Sequence, residues 1–109
     1  MSLFADYFHE KTDKHFYETD NGFILYSFPD DKTLYIEEIF VTKEMRRKHQ
    51  SHELTDEVIK IGKSKGCKYL LGSVVPTAKD ATLGLKACLG HGMELLSADK
   101  NIIFLRKEI

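Results

Sequence analysis

The sequence is poor in the features that mark specialised classes of protein. Cys67 and Cys88 are its only cysteines, too few for a disulfide framework in a chain with an adequate core, so free thiols in a cytoplasmic setting are expected. The net charge is −1. No broad basic field draws the chain onto nucleic acid, and an anion site would have to be a local patch. No run approaches the ~20 apolar residues needed to cross a bilayer, so no membrane partner is expected. The start, "MSLFADYFHEK", carries acidic residues and no long apolar stretch, and does not read as a signal peptide. Repeats, low-complexity tracts and Pro/Gly/Ser-rich linkers are missing as well. What is left is an ordinary globular composition, 42% hydrophobic and 30% charged, which over 109 residues fits one domain with one core.

The patterning changes period along the chain. Leu3, Phe4, Tyr7 and Phe8 stand at helical spacing and predict a short helix over 3–11. Residues 15–19 and 23–28 predict two strands around "DNG" at Asp20–Gly22, a hairpin signal because such residues tolerate positive φ. After "PDDK", residues 33–41 ("TLYIEEIFV") predict a third strand. From Ser51 to Lys65 the apolar residues Leu54, Val58, Ile59 and Ile61 mark one face of a helix, with Gly66 as its stop. "CKYLLGSVV" (67–75) is apolar enough for a strand buried on both faces. A second helix capped by Thr77 or Asp80 follows, with Leu85 and Leu89 on one face. "MELLSA" and "NIIFLRKEI" close the chain as a hairpin. The order α-β-β-β-α-β-α-β-β implies an α/β layered fold: a mixed, mostly antiparallel sheet flanked by helices.

One segment lacks what its position calls for. "RRKHQSHEL" (46–54) joins a strand to a helix, where a phosphate-binding loop sits in several α/β folds, yet it has no glycine. It has instead Arg46, Arg47, Lys48, His49 and His52 beside a helix start that favours anions. His49 and His52 stand three apart without a third ligand, so no metal site is expected. His91, between two glycines, reads as an exposed loop residue or as one lining a cleft.

These features occur in an order that resembles the GNAT superfamily of N-acetyltransferases. "YIEEIFV" resembles the family's central strand, which carries an acidic residue and ends in Val before a loop. "VTKEMRRKHQSHEL" resembles its "V-x-P-x-x-R-x-x-G-x-G/A" loop, with Arg46 at the Arg position, His49 at the first Gly and Ser51 at the second small position. "GCKYLLGSVV" resembles the next strand, and "LKACLGHGMELL" the helix followed by Gly-Phe, here Gly92-Met93. The resemblance runs from about Phe16 to Ile109, and the front of the fold is shorter than usual.

The resemblance implies acetyl-CoA as donor and an amine as acceptor: a protein lysine, a protein N-terminus or a small amine. It implies Ile39, Phe40 and Val41 along the cofactor, with the Val41 N–H on the thioester carbonyl. It places Arg46, Arg47, Lys48, His49, Gln50, Ser51 and His52 around the pyrophosphate. Glu37 becomes the candidate base, on one strand face with Tyr35, Ile39 and Val41 if the strand is regular. Glu38 then points away unless a bulge intervenes. Many members carry a Tyr as proton donor where this chain has Cys88, and residues 76–109 hold no Tyr. The Cys88 thiol either donates that proton or packs as a small apolar residue. A monomer or homodimer is expected, because a short terminal strand leaves a sheet edge open. The alternative is a GNAT-like domain that no longer catalyses and acts by binding a protein. A third reading, an unrelated α/β domain that holds an acidic partner on the basic helix start, implies binding that salt screens away.

Overall fold

The structure is a computed structural model and describes residues 3–46, 50–79 and 81–109. Its elements are α1 (Leu3–Thr12), β1 (His15–Thr19), β2 (Gly22–Asp30), β3 (Thr33–Val41), a 3₁₀ turn (Lys43–Met45), α2 (Gln50–Ser64), β4 (Tyr69–Val74), α3 (Ala81–Gly90), β5 (Glu94–Asp99) and β6 (Ile102–Glu108). The order is the predicted one. The six strands form one mixed sheet, β1-β2-β3-β4-β6-β5. Among the described residues only β3 and β4 run parallel, joined by the α2 crossover.

Alternation along the strands defines two unequal faces. Ile24, Leu34, Leu70 and Leu105 are fully buried on one face, and Val58 of α2 is buried with them. Each such side chain stabilises the fold by about 1.5–3 kcal/mol. α2 and α3 cover this face. A Cβ on Gly62 of α2 would lie 3.1 Å from Leu34, and one on Gly72 of β4 would lie 3.6 Å from the Cys88 sulfur of α3. The opposite face carries Phe23, Leu25, Tyr35, Tyr69, Leu71 and Phe104. Among the described residues neither α2 nor α3 covers it, and α1 packs beside β1.

Several local expectations are corrected. β4 is not buried on both faces: Leu70, Gly72 and Val74 are buried while Tyr69, Leu71 and Ser73 are half-buried. Thr77 does not cap α3, because the helix begins four residues later, at Ala81; its hydroxyl instead accepts a hydrogen bond from Asn101 Nδ2 at 2.7 Å. Asp80, the other cap candidate, lies outside the described residues. Leu85 packs on the core, but Leu89 is turned out and 52% exposed; Ala81 and Cys88 complete the packed stripe. The Asp20-Asn21 turn uses no positive φ. Gly22 is needed for a different reason: a Cβ there would run into the Phe40 carbonyl. Gly66 does stop α2 as expected, with φ +88°.

Candidate active site

The site begins where the sheet comes apart. β3 and β4 pair only at Thr33, Leu34 and Tyr35 against Tyr69, Leu70 and Leu71, and beyond that they diverge. The cause lies in β3. Its register with β2 jumps between Ile36 and Glu38, so Glu37 is the extra residue of a β-bulge, which bends and twists the strand away from β4. The resulting split opens into a cavity of about 190 Å³, walled by β3, β4, α2 and α3.

The walls of the split present unpaired backbone. Thr42 N–H donates to Asn21 O at 2.8 Å. Bonded residues alternate in an antiparallel ladder, so Phe40 also bonds toward β2, while Ile39 turns its N–H and C=O, and Val41 its N–H, into the split; the Val41 carbonyl accepts from Arg46. On β4, Ile109 N–H donates to Lys68 O at 2.9 Å, so by the same alternation Ser73 turns its backbone toward β3. Of the three residues expected along the cofactor, Ile39 and Val41 therefore present backbone groups there. Phe40 does not; its ring stacks on Phe23 at 5.6 Å on the opposite face.

The bulge also decides where the carboxylates point. Glu37 accepts a hydrogen bond from Ser27 Oγ at 3.1 Å, and Lys14 Nζ lies 3.4 Å from its other oxygen. Glu38 pairs with Leu25 in the register, which puts it on that same open face. The regular-strand expectation is thus overturned in part: Tyr35, Glu37 and Glu38 share one face, and Ile39 pairs with Ile24 and packs on the core behind the other. Both carboxylates border the cavity.

The loop residues Arg47, Lys48 and His49 lie outside the described residues. Arg46 donates from Nε to Val41 O at 3.1 Å, and its guanidinium lies 5.8 Å from the centre of the Phe40 ring. It braces the end of β3 and keeps its terminal nitrogens for other partners. Ser51 and His52, in the first turn of α2, line the cavity. Gln50 faces a different groove, beside Tyr17 and Glu53. Among the described residues no group of three His, Cys, Asp or Glu side chains is set to hold a metal ion.

Cys88 lies on the cavity wall, and burial pushes its thiol pKa up, so it stays protonated at neutral pH. One turn on, His91 also lines the cavity, with only 9% of its side chain exposed. Lys107 Nζ donates to its Nδ1 at 3.1 Å, which leaves the Nε2 proton to be donated to Asp56 Oδ1 at 2.9 Å. This clamp ties α2, the end of α3 and β6 together; in the sequence, the flanking glycines were its only sign. Another contact that sequence reasoning missed is Tyr35 Oη to Ser73 Oγ, 2.6 Å, which bridges β3 and β4 where the split begins. Thirty-eight residues of separation hide that pair from any spacing rule.

The sequence matches the Acetyltransferase (GNAT) family over residues 1–85. No curated protein gives a significant match. Among solved structures, a GNAT-family protein from Desulfovibrio desulfuricans superposes with a TM-score of 0.76 at 18% identity, over 92% of this chain and 74% of its own. A GNAT acetyltransferase from Elizabethkingia anophelis, solved with acetyl-CoA, gives 0.72 at 20% identity over 98% and 87%. An N-acetyltransferase from Thermoplasma acidophilum, in complex with coenzyme A, gives 0.72 at 19% over 82% and 54%. These likenesses are of fold. Because the family match spans most of the chain, from its first residue into α3, the protein belongs to the acetyltransferase (GNAT) family.

Proposed function

We propose that the chain transfers an acetyl group from acetyl-CoA to an amine by direct attack. The carrying observation is the split in the sheet, with unpaired backbone on both walls and two carboxylates at its border. An extended, amide-bearing arm fits there as a substitute strand, bonding to Ile39 and Val41 on one side and Ser73 on the other. The complexes of the Elizabethkingia and Thermoplasma proteins with acetyl-CoA and coenzyme A support this ligand. Acetyl-CoA, when bound, supplies an acetyl thioester whose carbonyl carbon forms the new C–N bond as the C–S bond breaks.

The chain's own groups do the rest. Glu37 takes the proton from the amine, with Glu38 beside it on the same face. The Val41 N–H, turned into the split, donates to the carbonyl oxygen. The neutral Cys88 thiol lies on the wall as a proton donor for the departing sulfur. The start of α2 draws the pyrophosphate through the positive end of its dipole, with Ser51 and His52 at hand and Arg46, Arg47, Lys48 and His49 adding charge. The acceptor is a protein lysine, a protein N-terminus or a small amine.

Acetyl-CoA and CoA should raise the melting temperature in proportion to the logarithm of their concentration. No shift at millimolar ligand would sink this reading and favour a non-catalytic, protein-binding domain. If the ligand binds, Glu37→Gln should lower turnover by roughly 100-fold while CoA affinity stays nearly constant. Unchanged turnover removes Glu37 from the mechanism.

A further inference from the structure

The two faces of the split differ in what surrounds them. On the helix-covered face, α2 and α3 enclose the cavity. On the other face, where Glu37 and Glu38 point, no helix among the described residues lies over β3, β4 and β6. An amine arriving there meets a sheet surface rather than a closed pocket.

That surface has a definite chemistry. Tyr35, Tyr69, Leu71 and Phe104 are half-buried on it, and Phe40, at the end of β3, is 45% exposed. By strand alternation Glu18, Glu37, Glu38, Glu94 and Glu108 share the face, against Lys14, Arg106 and, over the Phe40 ring, Arg46. It is apolar with an acidic excess, complementary to a cationic chain bearing apolar side chains. Lys14 already places a primary ammonium 3.4 Å from Glu37, so the base accommodates a lysine head group.

Resting on the transferase reading above, we infer that the acceptor is a lysine side chain of an extended polypeptide laid across this open face. A small amine gains affinity mainly from enclosure, which this face does not supply. A polypeptide gains it by spreading over apolar area, with its lysine entering at Glu37 in place of Lys14.

The test uses a randomised twelve-residue peptide library with one fixed central lysine, against spermidine and free lysine. Acetyl incorporation is read by mass spectrometry, and docking by amide chemical shifts of the labelled protein. The library should move the amides of Tyr35, Leu71 and Phe104, and should be acetylated at least tenfold faster than the small amines. Phe104→Ser should raise KM for the library with CoA affinity unchanged. Lys14→Ala, by removing the internal ammonium, should lower that KM. Shifts at this face without any acetyl incorporation support the polypeptide surface and remove only the transferase reading. Small amines acetylated as well as the library, no shift at these amides, or a dimer in sedimentation that buries this face would overturn the inference.

Discussion

At the scale of the residue, single side chains are read differently once their neighbours are known. Cys88 stood in the sequence as either a proton donor or a packing residue. Its place on the cavity wall and its raised pKa make it a thiol that keeps its proton. Two outcomes follow. Iodoacetamide should modify it slowly near neutral pH, because the thiolate is the nucleophile and burial disfavours it, and a bound cofactor should slow the reaction further. Cys88→Ala should lower turnover by roughly tenfold and leave CoA affinity in place, whereas an unchanged rate would assign the thiol to packing alone. Glu37 shows how much one extra residue decides. Its type and position were legible in "YIEEIFV", but its direction was not, because a bulge leaves no periodic trace.

At the scale of the element, existence and order were legible because the hydrophobic period changes sharply between strands and helices. Burial was less so. β4 reads as continuous apolar sequence, yet it is covered on one face only, and nothing in "CKYLLGSVV" says how many layers surround it. The packing of α1 on β1 carries a pH dependence. The His9 and His15 rings are 4.0 Å apart, and His15 also stacks on Tyr26. Burial first, then His9 and Lys65, holds the His15 pKa below the ordinary 6.5, with Asp13 opposing. The unfolded chain therefore takes up this proton before the folded one. The stability is present above pH 6.5 and is lost as pH falls below it. Thermal unfolding from about pH 7.5 to about 5.5 should show a falling melting temperature, and His15→Phe should flatten that fall. Equal slopes would separate His15 from the acid response.

At the scale of the whole molecule, a parallel pair is embedded in an otherwise antiparallel sheet, and the pair separates partway along. Leu70, fully buried, sits where β3 and β4 still touch. Leu70→Ala should cost about 2–5 kcal/mol, a large part of the ~5–15 kcal/mol expected for a domain of this size. Chemical denaturation checks it, and a cost under about 1 kcal/mol would mean that the split is held elsewhere. Among the described residues no helix is long and apolar enough to cross a membrane.

The sequence by itself determined the element order, the family resemblance and the residue types at the site, because periodicity, turn residues and motif order are local properties. Tertiary structure decided the rest. Which backbone groups face the split follows from strand pairing, and the side of the sheet that receives the carboxylates follows from a one-residue register shift. The clamp around His91 joins Asp56 to Lys107 across three elements. Contacts of that separation depend on how the layers close, and no window of neighbouring residues contains them.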